Sequence, residues 1–354
     1  MTTGNGNTKA LYTQQRMLFM SLDPVHVGAG GYRLGRVDMT ITREPGTNLP
    51  KIPGTSLAGA TRHYASMRYN KPEAAGQHKN FRGKRTECPI IYTFGTVTEA
   101  KTAAEAKNGQ PQPEATQSGT VSIGDAHILF FPVNSMAGAV WVSTVDRIVD
   151  IWGKESVKLP QENEQEVEPT DDLVVTDLNW RKDELNLGWL LFATKKGLQI
   201  DAPEVVKKRP EWQAISGRIA LVSPKLFSQI VSSNLEVRTS VSIDPETGAA
   251  ADKALFTYEA IPRATWLWSE VIEDDYKKDR DGKSQFPRTE QQFDSKNETE
   301  NAGEKLDKPW IRPLDVVNAG VKLIEYLGIG GMGTRGFGRM RCVAAWEIQE
   351  GDNQ

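Results

Sequence analysis

The sequence has few of the features that mark secreted or membrane proteins. Its 354 residues contain two cysteines, Cys88 and Cys342, which provide no disulfide framework and fit a reducing compartment. No apolar run is long enough to cross a bilayer, and the N-terminus lacks the apolar core of a signal peptide. We therefore predict a cytoplasmic protein that does not associate with membranes.

The signatures of several enzyme classes are also missing. There is no G-x-S-x-G nucleophile motif, no H-E-x-x-H zinc motif and no C-x-x-C pair. A zinc site built from His63, His78 and Cys88 would have a single thiolate, so surface or loop roles are the commoner explanation for these side chains. The net charge of −3 does not indicate a nucleic-acid-binding protein, but it does not exclude one, because a local basic patch is enough.

Glycine, by contrast, is concentrated in one segment. Residues 328–338, here called the glycine loop, read GIGGMGTRGFG, in which six of eleven residues are glycine. Such density indicates positive φ angles or a close approach by another group. With Arg335 and Arg339 nearby, the loop could wrap a phosphate chain through its N–H groups, or it could simply be a tight helix-to-strand connection. It follows a predicted helix and precedes a predicted strand, which is the reverse of a dinucleotide-binding fingerprint.

Short strand patterns outnumber helices, and long polar segments interrupt them. Helices are predicted at residues 57–69, 145–152, 224–231 and 310–327, and strands at residues 17–22, 37–42, 121–123, 127–133, 139–143, 187–194, 218–223, 265–272 and from 339 onward. Turn residues at 244–248 join the runs 235–243 and 254–261 into a long hairpin. This order predicts an α+β fold with an antiparallel sheet and helices on one face.

The same pattern predicts one domain over residues 17–348. A flexible arm (1–16) precedes it and a short tail (349–354) follows it. Polar composition predicts insertions at about 99–118, 160–172 and 274–308.

Three ionisable residues stand out by their positions. Asp38 lies between Val37 and Met39 in a predicted strand, and Glu259 lies near the end of the hairpin. Because burial of an unpaired carboxylate is costly, Asp38 needs either a salt bridge, to Arg36 or Arg43, or a metal-binding or proton-handling role at a sheet edge. His26 ends the first strand, just before Gly28.

Five motifs occur in order along the chain. They are HVGAG at 26–30, GRVD at 35–38, TNLPKIPGTSLAG at 47–59, GDAHILFFPVNS at 124–135 and the glycine loop. Together they resemble the RAMP superfamily of CRISPR-associated proteins. The segment 124–135 narrows the resemblance to the backbone subunit of type III-B effector complexes, the Cmr module, with the Csm-module backbone subunit second.

The resemblance implies an RRM-like, ferredoxin-type core with a protruding β-hairpin thumb at about residues 237–258. It implies copies of the chain stacked along a guide RNA with other type III effector subunits. Family members bend the guide RNA with the thumb and cut the paired target RNA at regular intervals. The family's cutting aspartate falls on Asp38, and His26, Tyr258 and Glu259 match residues near that site.

A magnesium ion or another divalent cation would bind through Asp38, because Mg²⁺ needs only one or two carboxylates beside phosphate oxygens and waters. RNA-binding residues follow from the same motifs, although Ala58 replaces the lysine that usually touches guide-RNA phosphate. Arg62, Arg68 or the basic residues 79–85 could substitute for that lysine. The predicted RNA-binding residues are Ser56, Arg62, Gly330, Gly331, Arg335 and Arg339.

Two alternatives remain open at this point. The chain could be a non-catalytic RNA-binding scaffold in which Asp38 is structural. It could also be a guide-precursor-processing ribonuclease that uses His26 as general acid or base and needs no metal.

Overall fold

The computed structural model describes residues 11–30, 37–76, 87–98, 115–241, 243–249, 255–277, 283–289 and 308–348. No helix in these ranges is long and apolar enough to cross a membrane. The helices are α1 (Gly54–Arg68), α2 (Pro89–Phe94), α3 (Val145–Trp152), α4 (Glu204–Lys207), α5 (Pro210–Ile215), α6 (Pro224–Ser233) and α7 (Pro313–Leu327). The strands are β1 (Thr13–Ser21), β2 (Lys51–Ile52), β3 (Gly95–Thr98), β4 (Ala115–Ser118), β5 (Val121–Ile123), β6 (Ala126–Ser135), β7 (Gly138–Ser143), β8 (Val157–Lys158), β9 (Gln161–Glu162), β10 (Gln165–Glu166), β11 (Leu173–Val175), β12 (Glu184–Leu187), β13 (Leu190–Lys196), β14 (Gln199–Ile200), β15 (Ile219–Leu221), β16 (Glu236–Ser240), β17 (Phe256–Ala260), β18 (Trp266–Glu273) and β19 (Met340–Ile348).

One large sheet organises the fold, in the strand order β12-β13-β11-β15-β7-β6-β18-β1-β19, with β2 paired to β6 and β5 paired to β18. The α+β class is confirmed, and the sheet is consistent with an RRM-like core. The prediction of a wholly antiparallel sheet is wrong, because β11 pairs with β13 in parallel and β15 pairs with β7 in parallel. Parallel neighbours need long crossover connections. The connection from β7 to β15 contains α3, α4 and α5, of which the sequence pattern had shown only α3.

Helices cover both faces of the sheet, so the prediction of helices on one face is also wrong. Met17 and Phe19 of β1 pack into one core with α1, α6 and α7, whereas Leu18 between them packs into a second core with α3 and α5. Successive side chains of a strand point to opposite faces. The uninterrupted apolar run in β1 is therefore that of a strand buried on both sides.

Helices α1 and α7 cross closely on the first face of the sheet. A Cβ added to Gly320 of α7 would lie 2.1 Å from the carbonyl oxygen of Thr61 in α1. Glycine at this crossing therefore lets the two backbones touch. The contact holds the N-terminus of α1 beside the glycine loop, which follows α7 directly.

Several predicted boundaries differ from the structure. The predicted arm is too long, because residues 13–16 already belong to β1, paired on both sides. The end of the insertion 99–118 forms β4, which pairs with β3. In the insertion 274–308, the side chains of Asp275, Phe286 and Thr289 are buried. The predicted strand 187–194 is divided by a turn at Gly188 between β12 and β13.

The remaining parts of those predictions lie outside the described residues. They are the arm at 1–10, the insertions at 99–114, 278–282 and 290–307, the tail 349–354, Arg36, His78 and the basic residues 79–85.

The predicted hairpin is confirmed and forms its own two-stranded sheet. Strands β16 and β17 pair in antiparallel register from Glu236 opposite Ala260 to Ser240 opposite Phe256. At the tip, the amide of Gly248 donates to the carbonyl oxygen of Asp244 at 2.8 Å. We call β16, β17 and the residues between them the thumb.

Candidate active site

The segment that carries Asp38 lies alongside β17 of the thumb. The amides of Asp38 and Met39 donate to the carbonyl oxygen of Thr257 at 3.1 and 3.0 Å, and the amide of Glu259 donates to the carbonyl oxygen of Met39 at 3.2 Å. The prediction of a regular strand at residues 37–42 is therefore wrong, because this segment makes only isolated bridges. It docks on the thumb base as a short parallel neighbour of β17.

Asp38 is exposed, and one of its carboxylate oxygens is fixed by a single residue. Its Oδ2 accepts hydrogen bonds from the amide of Thr257 at 2.7 Å and from the Thr257 hydroxyl at 2.9 Å. These two donors hold the pKa of Asp38 below its ordinary value. Among the described residues, Asp38 Oδ1 has no hydrogen-bond donor. Within the described residues, this ionised oxygen is therefore left free at the exposed base of the thumb.

Arg43, one of two predicted salt-bridge partners of Asp38, pairs instead with Glu259. Glu259 is buried, its Oε1 accepts from the amide of Ile41 at 3.0 Å, and its Oε2 contacts Arg43 Nη2 at 3.0 Å. Arg43 also donates to the carbonyl oxygen of Asn48 at 3.1 Å. The prediction of an Asp38–Arg43 salt bridge is thus wrong. Glu259 instead uses both carboxylate oxygens to hold the segment that carries Asp38.

His26 lies in the interior behind this segment. Its side chain is buried, and its Nδ1 lies 2.6 Å from the carbonyl oxygen of Glu259. Since a carbonyl oxygen only accepts, Nδ1 carries the proton. The backbone of His26 is also engaged, because its carbonyl oxygen accepts the amide of Gly331 at 2.9 Å. His26 thereby joins the thumb base to the glycine loop.

The glycine loop closes tightly over His26. Gly330 has φ +82°, and a Cβ added to it would lie 2.4 Å from the His26 carbonyl oxygen. A Cβ added to Gly331 would lie 3.5 Å from the His26 ring. Close packing therefore explains part of the glycine content, as the tight-connection alternative predicts.

The loop also presents a concave set of backbone donors. Met332 is left-handed (φ 63°, ψ 24°), and a 3-10 turn over Gly333–Arg335 follows it. The amides of Met332, Gly333 and Thr334 have no acceptor among the described residues. Successive N–H groups in such a turn form a concavity that binds anions. The loop thus combines close packing at Gly330 with an anion-binding geometry immediately after it.

Tyr258 projects from β17 into the space between His26 and the glycine loop. Its ring is buried and meets Phe337 edge-on with centroids 5.4 Å apart. The ring of His26 is 6.2 Å away, also edge-on. The Tyr258 hydroxyl accepts from Ser240 at 3.2 Å. Tyr258 thus packs the thumb against the loop.

Two arginines lie on aromatic rings at this junction. The guanidinium of Arg335 lies 5.2 Å from the ring centre of Phe256, and that of Arg238 lies 4.8 Å from the ring centre of Phe337. The guanidinium of Arg335 is thereby held where it can contact a phosphate or a base, whereas Arg238 also pairs with Glu236, with Nε and Oε1 2.6 Å apart. Arg335 was predicted from sequence. Arg238 was missed, although an arginine in the solvent-facing alternation of the thumb strand is a usable signal.

A cavity of about 340 Å³ adjoins the loop at the start of α1. It is lined by Ser56, Ala60, Tyr64, Leu327 to Gly330, Gly333 and Phe337. The Tyr64 hydroxyl donates to the carbonyl oxygen of Gly328 at 2.6 Å, which ties α1 to the loop. The structure therefore brings the predicted residues Ser56 and Gly330 into one cavity.

The other two predicted RNA-binding residues lie elsewhere. Arg62 comes six residues after Ser56, which places it toward the opposite side of α1, and its Nε donates to the carbonyl oxygen of Ala74 at 2.9 Å. Arg339 forms a salt bridge to Asp23, with Nε and Oδ2 at 2.5 Å, which raises the pKa of Arg339. Neither side chain lines the cavity at the loop.

No group of three His, Cys, Asp or Glu residues in the described ranges is arranged to hold a metal ion. Within these ranges Asp38 therefore offers one carboxylate oxygen, which bound RNA and water could complement. Magnesium accepts that arrangement, because it commonly binds through one or two carboxylates together with substrate phosphates.

The amino-acid sequence is also similar to those of known proteins. The model of the RAMP superfamily matches residues 19–341. The "CRISPR system Cmr endoribonuclease Cmr4" of Pyrococcus furiosus is 28% identical over 269 residues, which cover 74% of this chain and 82% of that protein.

Solved structures share the fold at lower identity. The apo state of a type III-B Cmr-beta complex contains a chain with a TM-score of 0.55 and 12% identity, covering 95% of this chain and 98% of that one. Oligomeric Cmr4 from Pyrococcus furiosus gives a TM-score of 0.52 at 18% identity, covering 96% and 99%.

Proposed function

The chain belongs to the RAMP superfamily, and we propose that it is a backbone subunit of a type III-B CRISPR ribonucleoprotein that binds guide RNA and cleaves the complementary target RNA. One observation carries the proposal. The Asp38 carboxylate has one oxygen fixed by Thr257 and the other exposed, at the base of a thumb, in a chain related to a named endoribonuclease. Its partners are then guide and target RNA, further copies of the chain and other effector subunits, in the cytoplasm.

The glycine loop and the start of α1 are the proposed guide-RNA surface. The unpaired amides of Met332, Gly333 and Thr334 suit a phosphate group, and Arg335 places a positive charge in the same turn. Further out, the thumb exposes apolar side chains that suit contact with unstacked bases. These are Val237, Val241, Ile243 and Leu255.

RNA supplies the nucleophile for the proposed cleavage. The 2′-hydroxyl loses its proton to water and its oxygen forms a bond to the adjacent phosphorus. The bond from phosphorus to the 5′-oxygen breaks and that oxygen takes a proton from water, which leaves a cyclic phosphate and a 5′-hydroxyl. The thumb contributes by holding the target strand in a conformation that aligns these atoms.

The environment of Asp38 favours the role of an anionic ligand over that of a general base. Its lowered pKa keeps the carboxylate ionised and makes it a weak proton acceptor near neutral pH. Asp38 Oδ1 is the position at which this chain would hold Mg²⁺ or another divalent cation together with RNA phosphate oxygens. When bound, the cation would offset negative charge on the phosphate and on the leaving oxygen. The carboxylate orients that group, and Thr257 orients the carboxylate.

The buried residues of the site serve this arrangement from behind. His26 donates through Nδ1 to the protein backbone, and Glu259 uses both carboxylate oxygens within the protein. These contacts support positioning roles for His26 and Glu259.

The decisive test is Asp38→Ala in the complex assembled with guide RNA. We expect target cleavage to slow by about a thousand-fold while assembly and target binding persist. Wild-type cleavage by an intact Asp38→Ala complex would mean that Asp38 is structural and that the chain is a scaffold. A chelator should abolish wild-type cleavage. Chelator-resistant cutting of precursor RNA by the isolated protein would instead support the guide-processing alternative.

A further inference from the structure

We infer that Thr257, in strand β17 of the thumb, is a positioning residue that fixes the Asp38 carboxylate, so that the thumb and this carboxylate are placed as one unit. The inference rests on the proposed function of Asp38 and extends it to a residue 219 positions away in the chain.

The contact between the two residues is reciprocal. The amide and the hydroxyl of Thr257 both donate to Asp38 Oδ2, at 2.7 and 2.9 Å. In return, the amide of Asp38 lies 3.1 Å from both the hydroxyl oxygen and the carbonyl oxygen of Thr257. In the described part of the chain, no other residue donates to the Asp38 side chain. One residue therefore determines the direction of the free oxygen.

A threonine suits this position for two reasons. Its hydroxyl gives the second donor to Oδ2, and its branched Cβ restricts χ1, so the hydroxyl direction is largely preset. Serine retains the hydroxyl with a freer χ1. Valine has nearly the same shape but has no hydroxyl, and it leaves the backbone amide as the only donor to Oδ2.

The position of Thr257 connects this contact to the thumb. Thr257 pairs with Thr239 across the two thumb strands, two residues after the exposed Leu255. Displacement of the thumb base therefore displaces the residue that holds Asp38. Target RNA seated against the thumb and the carboxylate beside it are thus kept in one geometric relation by a single strand.

The experiment uses the complex assembled with guide RNA and four variants: Thr257→Val, Thr257→Ser, Thr239→Val and Asp38→Ala. Thr239→Val is the matched control, because it makes the same replacement on the opposite strand at the paired position without touching Asp38. Three quantities are measured in each complex: the single-turnover cleavage rate at saturating target RNA, the affinity for target RNA, and the amide hydrogen exchange of residues 37–41.

We expect Thr257→Val to lower the cleavage rate by about tenfold with unchanged target affinity, since the lost bond is to a charged group. Exchange at residues 37–41 should become faster. Thr257→Ser should restore most of both properties, and Thr239→Val should leave the exchange unchanged.

Three results would overturn the positioning role of Thr257, and a fourth would overturn the proposed function. Wild-type exchange in Thr257→Val overturns the positioning role, and so does wild-type cleavage by that variant when Asp38→Ala is inactive. An equal loss of cleavage rate in Thr239→Val also overturns the positioning role, because the effect would then come from any change of the thumb surface. Wild-type cleavage by Asp38→Ala overturns the proposed function and the catalytic importance of the Thr257–Asp38 contact. The exchange data then show only whether Thr257 fixes the segment that carries Asp38.

Discussion

His26 and Asp38 lie close to the same strand, β17, yet their surroundings differ sharply. His26 is only 3% exposed, its Nδ1 donates to a carbonyl oxygen, and the glycine loop packs directly on it. Asp38 is exposed, and among the other described residues only Thr257 donates hydrogen bonds to its side chain. The strand thus has a buried side that holds the loop and an exposed edge that leaves an oxygen free.

The difference separates two kinds of ionisable residue that look alike in a motif. A buried group that is hydrogen-bonded within the protein shapes the site, and its removal should act first on folding. An exposed group with unused capacity is available to a ligand, and its removal should act first on chemistry. The following predictions test this separation in order of decreasing expected effect.

The largest effect on stability is expected at the buried salt bridge. Glu259→Ala leaves Arg43 without its carboxylate and removes the acceptor of the Ile41 amide. We expect the free energy of unfolding to fall by about 3 kcal/mol, measured by urea denaturation. In a separate cycle, the double variant Arg43→Met/Glu259→Met should lose less free energy of unfolding than Arg43→Met and Glu259→Met lose in sum. Strict additivity in this cycle would contradict a direct coupling.

Gly330→Ala should come next. The alanine would have to adopt a positive φ, and its Cβ would press on the His26 carbonyl oxygen at 2.4 Å. We expect a loss of about 2.5 kcal/mol in the free energy of unfolding. Gly333→Ala is the matched control, because no atom lies within 4 Å of an added Cβ there. If both variants unfold at the same urea concentration, the loop does not pack on His26 as described.

His26→Ala and Asp38→Ala should differ in their effect on stability. His26→Ala removes a buried ring and its hydrogen bond, so we expect about 2 kcal/mol of destabilisation. Asp38→Ala should leave the urea midpoint close to that of the wild type, because the side chain is exposed. Substantial unfolding by Asp38→Ala would show that the exposed edge is also structural and would remove the distinction.

The smallest effect concerns protonation of Asp38. The two Thr257 donors lower its pKa below the ordinary value of 3.8, so the carboxylate stays charged from pH 5 upward. Any stability from this contact is present above that ordinary value and is lost as the pH falls through the folded pKa. Carbon-13 spectra of aspartate-labelled protein, with Asp38→Asn for assignment, should show no titration of Asp38 between pH 5 and 8. A midpoint in that range would support a general-base role instead.

Some features could be read from short stretches of sequence. The turn residues at 244–248 predicted the thumb, and the composition of residues 145–152 and 224–231 predicted α3 and most of α6. The glycine loop was correctly placed between the last helix and the last strand. These features depend on backbone preferences within a few residues, such as the left-handed conformations that glycine adopts easily.

Other features could not be predicted locally. Thr257 lies 219 residues from Asp38, and Arg43 lies 216 residues from Glu259, so no spacing pattern connects them. The burial of Asp38 was misjudged because alternation with Val37 and Met39 suggested a regular strand, whereas the segment docks on β17 through isolated bridges. The parallel pairing of β15 with β7 was also missed, because a long connection separates the two strands in the sequence.

The amino-acid sequence by itself determined the family resemblance and the positions of the thumb and of the glycine loop, and it made Asp38 a candidate site residue. Only the tertiary structure decided which side chains face each other: Thr257 holds Asp38, Arg43 neutralises Glu259, and the glycine loop closes on His26. Turns, caps and glycine conformations depend on neighbouring residues. The choice of a hydrogen-bond partner depends instead on which distant segments the packed sheet brings within about 3 Å of each other.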